Sequence, residues 1–312
     1  MLVIQNTHHF RIESPTILTI GTFDGVHLGH QKILQRLQEL KQKTGLQTLV
    51  LTFEPHPRKV LFPDQKDLKL ITLIDEKLAL LDKYGVDITV VQPFSESFSQ
   101  LDSQYYIMQV LVKHLHVKHL VIGYDHKFGK NRNGDIQTLK DASVSNNFLV
   151  EEISPKDIDH IAVSSSKIRK ALDEGDVNLA LEFLGHPFFI TGQVVKGKQL
   201  GRTLGFPTAN IRVEEQEKII PKKGVYFVEV MVDSSRHFGM MNIGQNPTTD
   251  KTENIKLEVN IFEFDADIYS KTVTLNFIKR LRDELKFSNL NELKTQLQLD
   301  KDMCLQLMKN RT

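Results

Sequence analysis

The chain has 312 residues, enough for one or two domains, and its 40 basic and 39 acidic side chains leave almost no net charge. This balance argues against nucleic acid or an anionic membrane surface as the main partner, because both attract a positive field. The single cysteine, Cys304, excludes an intrachain disulfide framework, and without a signal peptide or apolar membrane span we expect a cytoplasmic protein.

Short apolar strands alternate with helical patterns up to about residue 186. This alternation indicates βαβ units and an α/β fold, an open parallel sheet with helices on its faces. Ligands bind such sheets beyond the carboxyl ends of the strands. The predicted elements are strands at residues 17–20, 48–53, 88–91, 119–122 and 148–153, and helices at residues 30–43, 75–84, 103–116 and 136–146.

The pattern changes after a Gly-His-Pro turn at residues 185–187, which follows two more predicted helices at 165–173 and 177–184. Closely spaced strands then predict a small barrel or sandwich, closed by a C-terminal helix at residues 290–308 in which Cys304 is a buried hydrophobe. We therefore expect two domains, residues 1–186 and 187–312. The predicted strands of the second domain are residues 188–195, 224–232, 238–243, 255–264 and 272–278.

The most informative segment is the turn Gly-Thr-Phe-Asp-Gly-Val-His-Leu-Gly-His at residues 21–30, between the first long strand and a helix. A helix N-terminus presents unpaired backbone N–H groups and the positive end of the helix dipole, which favour an anion. His27 and His30 can donate hydrogen bonds to a phosphate there, and nothing resembles a nucleophile paired with a base. The turn predicts a nucleotide site.

The string Val-Ser-Ser-Ser-Lys-Ile-Arg at residues 163–169 has two interpretations. Ser164 or Ser165 can be an ordinary N-cap, which needs no ligand. Alternatively, the hydroxyls, the helix N–H groups and Arg169 form a cradle for a polyphosphate, because a guanidinium matches phosphate oxygens in pairs. The cap and the cradle can coexist.

The second domain contains a basic, glycine-spaced segment at residues 196–210. By composition alone it is a surface loop whose glycines serve turns, and it is not a Walker A sequence. Glu258, on a predicted strand, would by itself be a solvated outward carboxylate.

Taken together, these strings resemble the nucleotidylyltransferase superfamily and, more closely, prokaryotic bifunctional riboflavin kinase/FAD synthetases. Two further strings follow in the family's order, Phe-Glu-Pro-His-Pro at residues 53–57 and Gly-Tyr-Asp-His-Lys-Phe-Gly at residues 123–129. Glu54 stands where the family usually has Asp, and His126 where it often has an aromatic residue. The resemblance implies a Rossmann-like nucleotidylyltransferase domain. It also implies ligand contacts by Gly21, Phe23, Asp24, Gly29, Pro55, His56, Asp125, Phe128, Arg132, Ser164, Ser165 and Arg169.

For the second domain, the resemblance implies a flavokinase-type antiparallel β-barrel. Its Pro-Thr-Ala-Asn string implies that Thr208 and Asn210 bind Mg²⁺ and ATP phosphates, with Gly201 and Gly205 in the preceding loop. Glu258 corresponds to the family's general base, and Arg282 lies near its flavin-binding end. Further matches are residues 221–226, 242–248 and 267–271, where Ser270 replaces the usual Gly.

The resemblance implies two reactions: riboflavin plus ATP to FMN, and FMN plus ATP to FAD and pyrophosphate. Small-molecule partners are therefore riboflavin, FMN and ATP, and Mg²⁺ is the expected cofactor. His27, His30 and Arg169 would stabilise the charge of the second transition state. We expect a monomer or weak homo-oligomer. Two alternatives are an enzyme with only one of these activities and a non-catalytic flavin- or nucleotide-binding regulator.

Overall fold

The computed structural model describes residues 1–6, 10–64, 68–124, 126–154, 163–197, 200–245 and 255–309. The chain forms two compact units, Met1–Ser165 and Ser166–Thr312. Residues between 166 and 186 pack with the second unit; for example, the Lys222 N–H donates to the Leu172 carbonyl over 3.0 Å. The functional boundary expected at residue 186 stays a prediction. No helix among the described residues is long and apolar enough to cross a membrane.

The first unit is built on a parallel sheet of six strands in the order β1-β4-β3-β2-β5-β6. All of its strand pairs are parallel, which confirms the predicted α/β class. The short strand β1 was not predicted, because it has four residues and three of them are exposed. The strands are β1 (Leu2–Gln5), β2 (Thr16–Ile20), β3 (Gln47–Glu54), β4 (Ile88–Pro93), β5 (Val117–Gly123) and β6 (Leu149–Ile153).

Apolar side chains cover both faces of this sheet. Ile17 packs with Leu37 in one buried cluster, whereas its neighbour Leu18 packs with Leu111 in another. Successive strand residues point to opposite faces, so all five residues of β2 are buried, and its two threonines are buried along with its apolar side chains. The helices are α1 (Leu28–Thr44), α2 (Pro57–Leu61), α3 (Ile74–Lys83), α4 (Glu96–Ser99), α5 (Ser103–Tyr105) and α6 (Ile136–Asn146), with a 3₁₀ turn at Lys130–Arg132.

The helix predicted over residues 103–116 is mostly a π-helix. After α5, the chain forms nine residues of π-helix, Tyr106–His114. It ends with the Leu115 N–H donating to the Val110 carbonyl, five residues back, over 2.9 Å. Apolar spacing predicts that a helix is present, but it does not separate this wider form from an α-helix.

The second unit contains a closed barrel of six strands in the order β10-β11-β8-β7-β12-β9. Every pair is antiparallel, and the pairing of β9 with β10 closes the ring. Of the two predicted architectures, barrel and sandwich, the structure is therefore a barrel. The first helix, α7 (Ser165–Glu174), begins with the last residue of the first unit. The other elements are α8 (Val177–Leu184), β7 (Phe189–Val195), α9 (Leu200–Thr203), β8 (Ala209–Arg212), β9 (Gly224–Val232), β10 (Ser235–Gln245), β11 (Ile255–Ile261), β12 (Thr272–Arg282) and α10 (Leu290–Lys309).

Helix α10 covers part of the outer surface of the barrel. Phe227 of β9 and Met240 of β10 belong to one buried cluster with Cys304 of α10. Cys304 is fully buried, as the sequence predicts. Removing this apolar surface from water favours the packing of α10 on the barrel.

A buried ion pair joins the end of β12 to α10. Asp300 is fully buried and accepts from Arg282 twice, at 2.9 Å from Nε to Oδ1 and 2.6 Å from Nη2 to Oδ2. Arg282 Nε also lies 3.1 Å from Oδ2, and Gln296 Nε2 donates a further hydrogen bond of 2.9 Å to Oδ1. The carboxylate is thus paired on both oxygens, as a buried charge must be.

Replacing Asp300 by Ala should lower the free energy of unfolding by about 3–5 kcal/mol, because it leaves the Arg282 guanidinium without its partner. Denaturant unfolding followed by circular dichroism would measure the loss. The matched control is Asp302→Ala on the exposed side of α10, where one amide hydrogen bond from Gln298 is lost. Equal losses in both variants would contradict the anchoring role of Asp300.

Candidate active sites

The histidine turn lies where the order of the parallel sheet reverses. From the central strand β2, the chain builds β3 and β4 on one side and β5 and β6 on the other. Crevices that bind ligands open at such switch points, outside the carboxyl ends of the strands. The turn after β2 occupies this position, and it leads directly into α1.

The backbone of this turn is strained. Phe23 and Val26 have φ angles of 49° and 40°, a left-handed conformation that side chains with a Cβ rarely adopt, least of all a β-branched one. Val26 is fully buried, and its carbonyl accepts from Gln31 Nε2 over 2.8 Å. Such conformations persist only where the surroundings enforce them, and they concentrate at functional sites.

Asp24 fastens the turn to a neighbouring segment. Its carboxylate is 1% exposed and accepts the backbone N–H groups of Ile71 and Thr72 over 2.9 and 3.0 Å. The Thr72 hydroxyl in turn accepts from the Gly25 N–H over 2.9 Å. Asp24 thus holds the shape of the turn, and its expected ligand contact stays a prediction.

His27 and His30 are brought together by the start of α1. His27 is the N-cap residue, and its Nδ1 accepts from the His30 N–H over 3.4 Å. The two rings stack with centroids 3.7 Å apart, and His30 also contacts the ring of Phe23 at 4.8 Å. Because His27 Nδ1 accepts, the neutral ring has its proton on Nε2.

The His30 ring is held in its uncharged form. Burial, the neighbouring His27 and the cation of Lys77 together hold its pKa well below the usual value of 6.5. An uncharged imidazole has one N–H donor and one acceptor. Among the described residues, the buried Nδ1 of His30 has no hydrogen-bond partner.

Part of the serine string meets this turn. The Ser165 hydroxyl, at the start of α7, donates to the Asp24 carbonyl over 3.1 Å. Ser164 directly precedes it, and Arg169 lies farther along α7 within the second unit. Gly21 directly follows β2, and its N–H donates to the Leu51 carbonyl over 3.0 Å.

The other predicted residues of the first unit are spread along the same edge of the sheet. His56 is buried and caps α2, with Nδ1 accepting from the Arg58 N–H over 3.1 Å. Gly29 is buried in the first turn of α1, whereas Pro55 and Arg132 are exposed. Asp125 lies outside the described residues.

Phe128 belongs to a group of aromatic rings at this edge that sequence reasoning missed. It contacts Tyr106 at 5.4 Å and His126 at 5.8 Å between ring centroids. Three phenylalanines extend the group through contacts of 5.5 to 6.0 Å: Phe53, Phe94 and Phe98. Phe53 lies at the end of β3, and Phe94 directly follows β4. Their position at the carboxyl ends of predicted strands is the sequence signal that could have identified this group.

In the second unit, strand register aligns three polar residues. Glu258 of β11 lies directly opposite Asn210 of β8 on one side and Asn242 of β10 on the other. Directly paired residues share a face of the sheet, so the three form a row on one surface of the barrel. Lys256 pairs with Glu258 at 2.6 Å between Nζ and Oε1. Asn242 lay within a matched string, but only the register places it beside Glu258.

The glycine loop folds against this row. A side chain at Gly197 would overlap the Asn210 amide, and one at Gly201 would overlap the Phe206 carbonyl oxygen, so both positions need glycine. Gly205 has a φ of 84°, which also favours glycine. Thr208 directly precedes β8 and lies close to Gly201.

Arg282 has a structural partner in the buried Asp300. Its expected place near a flavin stays a prediction. Residues 246–248 of the string 242–248 lie outside the described residues.

Two family models match the chain. The one described as FAD synthetase matches residues 9–167, and the one described as riboflavin kinase matches residues 184–308. Each match contains one of the two sites. The histidine turn lies in the first, and the Asn210–Glu258–Asn242 row lies in the second.

Relatives match nearly the whole chain. Bifunctional riboflavin kinase/FMN adenylyltransferases from Haemophilus influenzae and Bacillus subtilis are 40% and 36% identical, covering 96% and 98% of this chain and 97% and 98% of theirs. The Escherichia coli protein of that name is 40% identical over 91% of this chain and 90% of its own. A crystal structure described as a macrolide-efflux protein from Streptococcus pneumoniae has a TM-score of 0.88 at 31% identity, covering 97% of this chain and 99% of that one.

The lowered pKa of His30 predicts how stability depends on pH. As the pH falls below about 6.5, His30 becomes protonated in the unfolded chain but stays unprotonated in the folded chain. The free energy of unfolding should therefore decrease with falling pH in this range. Denaturant unfolding at a series of pH values would measure the slope, which His30→Gln should reduce. An unchanged slope in that variant would contradict the assignment.

Proposed function

The chain belongs to the bifunctional riboflavin kinase/FMN adenylyltransferase family, and we propose that each unit houses one of the two reactions. The enzyme phosphorylates riboflavin with ATP to give FMN, and it transfers the adenylyl group of ATP to FMN to give FAD and pyrophosphate. Matches to both family models favour this interpretation over a single-activity enzyme and over a non-catalytic regulator.

We assign adenylyl transfer to the histidine turn. A phosphate oxygen of FMN attacks the α-phosphorus of ATP, the bond to the bridging oxygen breaks, and pyrophosphate leaves. The FMN phosphate is already anionic at neutral pH, so the step needs no strong base. The step is difficult because two anions must approach each other. Hydrogen-bond donors that are already in position before the reaction reduce this repulsion.

The stacked His27 and His30 and the N-terminus of α1 are those donors. The observation that supports this assignment is their position at the switch point of the sheet, on a backbone held by Asp24. Ser165 is proposed to bind the same phosphate chain, and the phosphate contact expected of Arg169 stays a prediction. The rings around Phe128 offer an apolar surface suited to a flavin ring.

We assign riboflavin phosphorylation to the polar row on the barrel. Glu258 is proposed as the general base that accepts the proton of the terminal ribityl hydroxyl as its oxygen attacks the γ-phosphorus of ATP. The observation that supports this assignment is the register that places Glu258 beside Asn210.

Thr208 and Asn210 are proposed to hold Mg²⁺ with the ATP phosphates. A hydroxyl and an amide oxygen are hard donors, and a site with so few protein oxygens suits an ion that keeps water and phosphate oxygens as ligands. The ion would offset the negative charge of the transferring phosphate. We also propose that the enzyme works in the cytoplasm, as a monomer or weak homo-oligomer.

Two substitutions should separate the activities. His30→Ala should lower FAD formation from FMN by about 100- to 1000-fold, the usual cost of one fixed donor. Glu258→Gln should lower FMN formation from riboflavin by about 100-fold or more, because it removes the proton acceptor. Chromatography of the flavins after incubation with ATP and Mg²⁺ would measure both rates.

Each variant is the control for the other, since FMN formation should survive in His30→Ala and FAD formation from added FMN should survive in Glu258→Gln. Loss of both activities in either variant would contradict the division of labour between the two units.

A further inference from the structure

A buried lysine near the histidine turn is not explained by packing alone. Lys77 lies in the first turn of α3 and is 4% exposed. Its Nζ donates to the hydroxyl of the buried Thr52 over 3.5 Å. The Thr52 hydroxyl in turn donates to the Thr22 carbonyl over 3.2 Å. Thr22 belongs to the histidine turn, so the ammonium lies one hydrogen-bonded residue away from it.

Two physical effects make this position energetically unfavourable for a cation. Taking an ammonium out of water is unfavourable unless opposite charges compensate it. A positive side chain also opposes the positive end of the helix dipole in the first turn of a helix. Residues that break local rules in this way are expected where function requires them.

Among the described residues, charges of both signs act on this group. The carboxylates of Asp24 and Glu54 favour the charged form of Lys77, although burial is the larger effect and lowers its pKa overall. The Lys77 cation in turn acts on His30, which also feels the stacked ring of His27. The ammonium therefore interacts electrostatically with two carboxylates and with the histidine that we assign to the anionic substrate.

We propose that Lys77 is a positioning residue for adenylyl transfer, whose buried ammonium, joined through Thr52 to the histidine turn, balances the charges of Asp24 and Glu54. This inference rests on the proposed function of the histidine turn. Without the cation, the negative charges of Asp24 and Glu54 near the path of the ATP phosphates would no longer be offset by Lys77. They would repel the phosphates and draw a proton onto His30, which would change its hydrogen-bonding pattern from one donor to two.

Lys77→Met removes the charge and keeps a stem of similar length. It should lower kcat/KM for FAD formation from FMN by about tenfold or more, the scale of one lost charge interaction. The pKa of His30 should rise toward its usual value, because a repelling cation is gone. The acid limb of the pH–rate profile should then move to higher pH.

The matched control is Lys83→Met, the same substitution at an exposed position in the last turn of α3. It should keep the rate and the pH profile of the parent enzyme. Lys77→Arg, which retains the charge, should keep the parent's acid limb even if its rate falls through imperfect packing.

The double variant Lys77→Met/Glu54→Gln separates charge balance from packing. Because it removes one carboxylate together with the cation, it should recover at least about threefold of the lost kcat/KM and return the acid limb toward the parent's position. This variant also buries less uncompensated charge, so it tests the proposal even if Lys77→Met alone does not fold.

Two results together would overturn the proposal and leave Lys77 a packing residue. The double variant would have the same kcat/KM as Lys77→Met, and the acid limb of Lys77→Met would stay where the parent enzyme has it. The parent enzyme distinguishes this outcome from a failure of the proposed function. If the parent forms no FAD from FMN and ATP, the assignment of the histidine turn fails. If the parent forms FAD and the variants match it, only the role of Lys77 fails.

Discussion

The buried carboxylate of Asp24 is the interaction on which the first site depends. By accepting two backbone N–H groups from Ile71 and Thr72, it joins the turn after β2 to the segment that leads into α3. Phe23 and Val26, which flank this joint, have a left-handed backbone. A buried carboxylate with such bonds is costly to disturb, because each N–H would lose its partner out of reach of water.

In the assignment that we propose, the two sites differ in composition because their nucleophiles differ in their need for a base. The phosphate of FMN arrives deprotonated, and the first site accordingly offers stacked imidazoles and helix N–H groups. Riboflavin attacks with an alcohol, which must lose a proton, and the second site offers the carboxylate of Glu258. Both sites rest on rigid backbone, the first at a sheet edge and the second within paired strands. Fixed donors of this kind need little reorganisation during the reaction.

Much of this arrangement could be predicted from local patterns, and the rest depends on contacts between distant residues. The alternation of apolar runs predicts the parallel sheet and the location of the histidine turn. It does not predict β8, whose four residues, Ala209–Arg212, are too short to show a period. Lys77 was part of a correctly predicted helix, and a lysine there normally reaches solvent. Only tertiary packing against β3 reveals that it is buried.

The closed ring of barrel strands makes the alignment of Glu258 with its two asparagines resistant to insertions. Strand β11 is hydrogen-bonded on both sides, so shifting it by one residue would break two ladders at once and turn its apolar residues outward. Segments that connect the strands can therefore change in length without displacing Glu258. Laboratory grafting of new substrate-contacting connections onto this scaffold could consequently leave its phosphoryl-transfer chemistry in place.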